Sequence, residues 1–567
     1  MKQHKLMGVL AFSGALALAL AGCASDTGGT GDGDGETVET AFADYNPQDR
    51  ENLQVGGEVR FPITEIPEQL NAFHGDASAD TSRIAAWYTP QILLQEADGT
   101  PYKNDAYLDE WTIEEVDGNT QITFTFTDEA HWNDGTDMDW TAIEATWIAS
   151  RSTEEGYVPN ATDGYKSIAS VEQGDTAKTA IVTFDGIFAW PEMPFLTGII
   201  HPDLADPDTF NTAMIDDPHP EWGAGPYKID EFDANADYIS FVPNEEWWGN
   251  EPLLDEVSFQ AMDASASINA FKADEIDMVG VNTKDRLEQV QDMEGITIYR
   301  STQTANTLIQ VDSTKPQFED VNVREAFFKA INIDQQKEIA WNGLNYEEEP
   351  AGSLTLFPFQ DGYENALAEA GWEYNPEESK TLLEEAGWVE GEDGIREKDG
   401  EKFSVVYPVW SDDPTQEALA KALQQQMAEV GIDLQIDIRP STDFSSDYTT
   451  MNWDVSSLRF TSSDPFGAAW FCQLYCTDMG LNLSGVQTEE MDQRIHDEVE
   501  SLPTAEEQTA AAMELEAEIF QEWGIIPLYN GPSISAVKDG LANLTPEPYV
   551  GLDGFGVQPV ENVGWEK

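Results

Sequence analysis

Positive charge is scarce in this chain of 567 residues. It contains 28 Lys and Arg against 108 Asp and Glu, which gives a formal net charge of −80 at pH 7. Proteins that bind nucleic acid neutralise its phosphates with Lys and Arg, so this balance excludes nucleic acid as a natural partner. The acids are spread along the whole sequence, which is typical of a solvated surface that keeps a protein soluble.

Motifs of the common hydrolases and ATPases are also missing. No Gly-Lys-Ser/Thr occurs, which excludes a Walker A loop. The chain has no G-x-S-x-G, no H-E-x-x-H and no pattern around a cysteine nucleophile. A pair of catalytic carboxylates, as in a glycoside hydrolase, stays open as the less favoured alternative, because nothing singles out one pair among the acids. We therefore predict no enzymatic activity and no cofactor.

Long apolar runs are confined to the N-terminus. Residues 1–5 are basic and precede an apolar run over 6–21, which is too short to span a bilayer comfortably and has the flanks of a signal peptide. The run ends in Leu-Ala-Gly-Cys, which resembles the lipobox of bacterial lipoproteins. In such proteins the cysteine, here Cys23, is acylated and becomes the first residue.

We therefore expect residues 1–22 to be a signal peptide and residues 23–50 to be a lipidated N-terminus with a flexible linker. Residues 24–40 are rich in Gly, Thr and acids and lack aromatics, so they are unable to bury apolar surface. The protein would be exported and held at the outer face of the cytoplasmic membrane, or in the periplasm, by its lipid.

Cysteine is rare, with three in the chain. Besides Cys23 there are Cys472 and Cys476, and outside the cell such a pair forms a disulfide more often than two free thiols. So small a loop contributes about 2 kcal/mol on the loop-entropy estimate. A metal site needs further ligands, and the histidines beyond the predicted signal peptide show no metal spacing, so we predict no metal site; they are His74, His131, His201, His219 and His496.

A dense group of acids lies in the stretch AHWNDGTDMDW, residues 130–140. An EF-hand is excluded because two of its ligand positions would hold Ala130 and Trp132. The alternating segment TQITFTFTD before it predicts a strand over 120–128, and TAIEATWIAS after it predicts a helix over 141–150. We favour a turn at Asn-Asp-Gly followed by a helix cap, at Asp139 or Thr141, over a metal or catalytic role.

Helices and strands alternate along the second half of the chain. Apolar residues recur at helical spacing from Val323 to Ile331, and Asn375 with the following Pro-Glu-Glu forms a helix start. A long helix is predicted over 415–430, followed by a strand over 432–438. The alternation predicts an α/β fold with a more β-rich early segment.

Several blocks, in order, resemble the extracytoplasmic solute-binding proteins of ABC importers, in the oligopeptide, dipeptide and nickel-binding group (family 5). Residues 126–145 resemble that family's strand–"W-sDG-pvTA-D"–helix block, and Gly225-Pro226-Tyr227 resembles its "GTGPY" strand start. Residues 318–327 resemble "f-d-vrvReAf", and residues 374–388 resemble "yDp-kAk-LL-eAGw". Later blocks are residues 481–485, similar to "N-sgy", and residues 525–529, similar to "-iPly". The resemblance covers essentially the whole mature chain.

This resemblance implies a periplasmic-binding-protein-like fold with two lobes, a hinge and a ligand cleft between the lobes. It implies that residues 51–300 and 522–567 form lobe I, with an inserted β-rich subdomain at about 78–185. Residues 301–521 would form lobe II.

The family also implies where the solute binds. In its peptide-binding members an Asp in an "aDY-eP" loop pairs with the α-ammonium of the peptide. The matching position here is Thr461 or Ser462, depending on where the alignment starts, and neither is acidic. Asp464 lies nearby, beside the proline. A buried ammonium without a partner is costly, so this departure disfavours ordinary free peptides.

Other candidates flank this loop. Arg459 is suited to bidentate pairing with a ligand carboxylate, with a salt bridge to one of the many acids as the alternative. Aromatic side chains are candidates to stack on a ligand, including the apolar face of a sugar, with core packing as the alternative. The predicted ligand-binding set is Trp410, Arg459, Phe460, Ser462, Asp464 and Trp470.

We predict a lipid-anchored, monomeric binding protein that captures a peptide or similar-sized solute and passes it to an ABC permease with its ATPase subunits. An oligosaccharide-binding protein, or a sensory receptor of the same fold, is the alternative.

Overall fold

The computed structural model describes residues 38–39, 44–95, 101–411, 413–440, 443–461, 466–477, 479, 481–544 and 559–567. The predicted signal peptide and Cys23 lie outside the described residues, as do Ser462 and Asp464. No helix in the described ranges is both long and apolar enough to cross a membrane.

The first part of the chain forms two four-stranded sheets. One sheet orders the strands Glu58–Ile63, Glu256–Ala261, Tyr238–Pro243 and Tyr227–Asp233. The other, which we call the insert sheet, orders Leu108–Val116, Asn119–Phe126, Thr179–Phe184 and Ile168–Gln173, all antiparallel. Beside them lie the pair Leu93–Gln95 and Pro101–Lys103 and the three-stranded sheet Met278–Gly280, Pro532–Lys538 and Ile296–Thr302.

The second part has its own sheets. A central sheet places Ala305–Val311 between Val455–Thr461 and Ile525–Tyr529, antiparallel to both. A parallel pair, Ser404–Val409 and Asp433–Ile438, lies next to it. The remaining short strands are Val38–Glu39, Tyr346–Glu347, Val389–Glu390, Arg396–Lys398, Glu401–Lys402, Leu541–Ala542 and Gly564–Trp565.

The helices carry side chains that cover these sheets. In the first part they are Ala79–Ala85, Trp140–Ser150, Pro207–Thr212, Ala264–Lys272 and Lys284–Leu287. In the second part they are Val321–Lys329, Ile333–Ala340, Ala366–Glu369, Pro376–Glu385, Pro414–Glu429, Phe444–Thr450, Phe471–Tyr475, Glu489–Arg494 and Ala505–Phe520. A π-helical segment, Ile495–Glu500, follows Arg494 directly. This mixture of helices and sheets confirms the predicted α/β class.

Local signals placed these elements to within one or two residues. The strand Asn119–Phe126 alternates buried and half-buried residues along its length, as its period-2 pattern predicted. The helix predicted over 415–430 spans Pro414–Glu429. Asn375 caps Pro376–Glu385 by accepting a hydrogen bond from the Glu378 N–H at 3.1 Å.

The acid-rich stretch after the second insert strand is a turn and a helix cap. Gly135 has φ of 86°, a left-handed conformation that glycine adopts without strain. Asp134 accepts hydrogen bonds from the N–H and hydroxyl of Thr136 at 2.7 and 2.8 Å. Asp139 accepts from the Thr141 N–H at 2.9 Å and caps Trp140–Ser150. These hydrogen bonds confirm the turn and, of the two predicted caps, select Asp139.

The flexible linker predicted to reach residue 50 ends earlier, and this is a correction. The Asp44 N–H donates to Ser301 Oγ at 2.8 Å, and the Asp44 carboxylate accepts from the Arg300 N–H at 2.8 Å. The Gln48 N–H donates to Asn543 Oδ1 at 2.8 Å. The chain from Asp44 onward is therefore hydrogen-bonded to the first part of the fold.

The strands near the C-terminus show where the chain crosses from the second part back to the first. The strand Ile525–Tyr529 pairs with Ala305–Val311, and its residues Ile526 and Leu528 belong to the same hydrophobic core as Phe327. The next strand, Pro532–Lys538, pairs with strands of the first part. The crossing therefore lies after Tyr529, in contrast to the predicted boundary at residue 522.

Candidate ligand-binding cleft

A cavity of about 1410 Å³ lies between the insert region and the second part of the chain. It exceeds the range of roughly 300–1,000 Å³ that is usual for small-molecule sites. One wall comes from residues 162–167 and 187–193, which adjoin the insert sheet. The opposite wall comes from the strand Val455–Thr461, the helices around residues 444–448 and 468–477, and Gln508.

Two hydrogen bonds join the walls across the cavity. Trp190 Nε1 donates to Gln508 Oε1 at 2.8 Å, between residues more than 300 positions apart. Gln473 Nε2 donates to Asp163 Oδ2 at 3.2 Å. The Trp190 ring also contacts the Phe466 ring, with centroids 5.3 Å apart. These contacts hold the two walls together in the present conformation.

Gln508 is positioned for this contact by its own wall. Its side-chain amide donates to the carbonyl oxygens of Glu500 and Leu502 at 3.1 and 2.9 Å. Both amide hydrogens are thus used within the second part, and Oε1 is left to accept from Trp190. The acceptor is fixed before the walls meet, which lowers the entropy lost when the hydrogen bond forms.

Arg459 faces the cavity from the central sheet. It lies opposite Thr307 in the register of the antiparallel pair, and its Nη1 is 3.5 Å from Thr307 Oγ1. Its side chain is exposed to the cavity, while protein atoms enclose it on other sides, and this desolvation lowers its pKa. Within the described ranges, no carboxylate oxygen lies within the 4.0 Å ion-pair distance of its guanidinium. The described residues therefore provide no salt bridge to Arg459, which was the alternative to a role in ligand binding.

Glu348 is the carboxylate whose charge acts on Arg459, and its oxygens already accept hydrogen bonds from other groups. Glu348 accepts hydrogen bonds from the N–H groups of Asn530 and Gly531, each at 2.8 Å, and from the Tyr346 hydroxyl at 2.7 Å. Burial raises the pKa of Glu348 from its ordinary value. This acid contributes to the field at Arg459 without forming an ion pair with it.

The acids that line the cavity have donors of their own. Asp163 pairs with Lys166, and Asp492 accepts from the Thr477 N–H at 2.9 Å. Glu500 contacts Nδ1 of His496. The described lining thus offers an uncompensated positive charge at Arg459 and engaged carboxylates elsewhere.

Aromatic and apolar side chains form much of the remaining lining. Phe460 and Trp470, two of the predicted stacking residues, line the cavity. Trp410 is not among the residues that line this cavity, and its role as a ligand contact stays a prediction. Its Nε1 donates to Asp447 Oδ2 at 2.8 Å, and its ring packs edge-on against Phe444, whose centroid lies 5.2 Å away. Phe444 itself lines the cavity.

Cys472 and Cys476 line the same cavity and are joined by a disulfide, with Cα atoms 4.8 Å apart. His496 comes to lie beside them, with a ring nitrogen and the two sulfur atoms within 4.8 Å of one another. The spacing of cysteines and histidines along the chain did not predict this group, because His496 comes from a separate element, the π-helical segment Ile495–Glu500.

Other cleft residues carried no local signal. Asp163 and Trp190 come from loops around the insert sheet, Lys166 comes from the short 3-10 helix Tyr165–Ser167, and Gln473 and Gln508 come from helices of the second part. Their roles depend on which residues face them across the cavity. A sequence without an alignment does not contain that information.

A family model and a related sequence match most of this chain. The model of bacterial extracellular solute-binding proteins, family 5 Middle, matches residues 104–480. The oligopeptide-binding protein OppA of Mycobacterium tuberculosis is 27% identical over 518 residues, which cover 90% of this chain and 86% of that protein.

Two solved structures share the architecture. The periplasmic EDTA-binding protein EppA superposes with a TM-score of 0.80 at 21% identity, covering 94% of this chain and 100% of that one. The oligopeptide-binding protein AppA of Bacillus subtilis, in complex with a nonapeptide, superposes with a TM-score of 0.67 at 19% identity, covering 91% and 100%. These superpositions confirm the predicted two-lobe fold. Since the family model spans most of the chain, this protein belongs to the bacterial extracellular solute-binding proteins, family 5.

Proposed function

We propose that this protein is the solute receptor of an ABC importer, anchored outside the cell through an acylated Cys23. It captures a peptide or similar-sized solute between its lobes, leaves it chemically unchanged, and delivers it to a permease with ATPase subunits. Support comes from the family, from the size of the cavity, and from the relatives that bind oligopeptides. The lipid anchor rests on the lipobox-like end of the apolar N-terminal run.

The proposed lobes follow the sheets. Lobe I comprises residues 44–302 and the C-terminal segment, with the insert around the insert sheet, and lobe II begins after Thr302. The pairing of Ile525–Tyr529 with Ala305–Val311 supports a return to lobe I after Tyr529. The cavity then lies at the interface of the lobes, where hinge closure around a solute is the expected motion.

The solute in this proposal carries an anionic group, such as a carboxylate, that binds Arg459. The observation that carries this step is the guanidinium exposed to the cavity without a carboxylate partner among the described residues. A guanidinium presents a planar fork of donors that matches a carboxylate. The apolar rest of the solute would pack against Phe460, Trp470 and Phe444.

The test begins with the natural solute. Mass spectrometry of whatever copurifies with the protein identifies it, and calorimetry measures its affinity for the wild-type protein. Arg459→Gln removes the charge, and charged hydrogen bonds contribute roughly 1.5–3 kcal/mol, so we expect its Kd to rise about 10- to 100-fold. Arg459→Lys keeps the charge without the fork and should give an intermediate Kd.

A matched control separates this contact from a change in net charge. Lys421→Gln also removes one positive charge, but Lys421 pairs with Glu417 on the exposed face of Pro414–Glu429. Its Kd should equal that of the wild type. Equal Kd values for Arg459→Gln and Lys421→Gln would refute the role of Arg459, and chemical conversion of the solute during incubation would refute the receptor function.

A further inference from the structure

The wall of the cleft holds a sulfur-and-nitrogen cluster to which the proposed solute contacts assign no role. Cys472 lies in the short helix Phe471–Tyr475 and Cys476 is its C-cap, and His496 reaches them from the π-helical segment that follows Arg494. A ring nitrogen of His496 and both sulfurs lie within 4.8 Å of one another. We propose that reduction of this disulfide creates a binding site for a thiophilic divalent cation such as Zn²⁺ or Co²⁺, with Cys472, Cys476 and His496 as protein ligands.

The distances suit such a site after small movements. Zn–S bonds of about 2.3 Å and Zn–N bonds of about 2.0 Å place ligand atoms of a tetrahedral ion roughly 3.5–3.8 Å apart. Reduction breaks the sulfur–sulfur bond and lets the sulfurs separate to that range. The atoms of the cluster lie within 4.8 Å of one another, so they have to draw together by at most about 1 Å to reach that range. Two thiolates and one imidazole form a ligand set that favours zinc-like ions.

The surroundings of His496 match those of a metal ligand. Its Nδ1 contacts the Glu500 carboxylate, one helical turn away. Histidines that bind metals usually donate their other ring N–H to a carboxylate, which fixes the ring and its tautomer. This contact leaves Nε2 as the nitrogen for the cation. π-helical turns such as Ile495–Glu500 occur frequently at functional sites, because they displace a side chain from the regular helix face.

The redox state decides whether the site exists. In the disulfide form, both sulfurs are bonded to each other and neither is a thiolate. A thiol reductant supplies two electrons and is itself oxidised to a disulfide, each cleft sulfur gains a proton, and binding of the cation then releases those two protons to solvent. Three protein ligands leave a fourth position, and all three line the cavity, so this position is open to water or to a donor atom of the solute.

Cobalt binding tests the proposal directly. The full-length chain with Cys23→Ser has thiols only at the two cleft positions, because the chain contains three cysteines. A phosphine reduces the disulfide with water as the oxygen donor and leaves as phosphine oxide. On titration with Co²⁺, the reduced protein should bind one equivalent and develop sulfur-to-cobalt charge-transfer absorption, and the oxidised protein should show neither.

Two variants locate the ligands. His496→Gln should raise the Kd for Co²⁺ at least 10-fold, and His131→Gln, a substitution outside the cleft, should leave it unchanged. The double variant Cys472→Ser, Cys476→Ser should lose the charge-transfer band. Near-ultraviolet circular dichroism follows the fold of the reduced protein.

The proposal is overturned if the reduced protein binds Co²⁺ no more tightly than the double serine variant, or if His496→Gln has no effect. Loss of the tertiary fold on reduction also overturns it, because the site would then exist in neither redox state. These readouts use the metal alone, so they are independent of which solute the cleft accepts.

Discussion

Replacing Glu516 by alanine would test how lobe II holds the wall of its cleft. This glutamate lies on the helix Ala505–Phe520 and has no exposed surface. Its Oε1 accepts hydrogen bonds from the Leu354 and Thr355 N–H groups, each at 3.1 Å, and from the hydroxyl groups of Thr355 and Tyr475. Its Oε2 accepts from the Ser353 hydroxyl. One carboxylate thus ties a loop and the helix that precedes Cys476 to the long helix.

The cost of Glu516→Ala follows from which donors lose all partners. The Thr355 N–H keeps a second acceptor, Ser353 Oγ at 2.9 Å, but the Leu354 N–H and the buried hydroxyls of Ser353, Thr355 and Tyr475 lose the acceptor found here. Each unsatisfied buried donor costs about 1–3 kcal/mol. Even at the lower end of that range, the four together predict a loss of at least about 4 kcal/mol in the free energy of unfolding, before any cavity term is added.

Glu516→Gln separates this account from a simple loss of side-chain volume. The glutamine keeps an oxygen at Oε1, where four of the five donors point, and replaces only the acceptor of Ser353. It also removes a group whose charged form is disfavoured by burial, which raises the pKa of Glu516. We expect a change within about 1 kcal/mol, because loss of one bond offsets the gain from desolvation.

Urea unfolding at several denaturant concentrations, followed by calorimetry of the lobe II transition, measures both changes. Glu514→Ala, at an exposed position on the same helix, serves as the control and should stay within about 0.5 kcal/mol of the wild type. A loss below 1 kcal/mol for Glu516→Ala, or equal losses for alanine and glutamine, would refute the reasoning.

Two further changes test the pH dependence and the closed conformation. Burial raises the pKa of Glu561 from 4.5 to about 7, so the folded state holds the carboxyl proton more tightly than the unfolded state does. The stability that this proton contributes is complete below pH 4.5 and is lost as the pH rises through about 7. Glu561→Gln should therefore flatten the pH profile of unfolding and stabilise the protein at pH 8 by roughly 3 kcal/mol, and an unchanged profile would contradict the assignment. Trp190→Phe removes the hydrogen bond to Gln508, and such a bond contributes about 0.5–1.5 kcal/mol to closure. Solute affinity should therefore fall roughly 2- to 10-fold. X-ray scattering of the protein without solute should show a larger radius of gyration than the wild type has. Trp111→Phe, on the insert sheet, is the control, and equal behaviour of the two variants would exclude the contact as a closure element.

The sequence by itself determined the class of the fold and most element positions. Strand alternation before the acid-rich stretch, the Asp139 cap and the Asn375 cap are local features, so each was predictable from neighbouring residues alone. The blocks that resemble the family are also short and ordered along the chain, and the match over residues 104–480 confirmed the predicted family. Arg459 was proposed as a ligand contact for its chemistry, because a guanidinium is recognisable without coordinates, and that role stays a prediction.

Only the tertiary structure decided what those residues face. Trp410 was found packed edge-on against Phe444, and Trp190 was found in contact with Gln508 across the cavity, and neither contact follows from the residues next to it in sequence. His496 joined the two cysteines for the same reason. Local free energies set helices, turns and caps, whereas a cleft is made of long-range contacts whose partners no local pattern specifies.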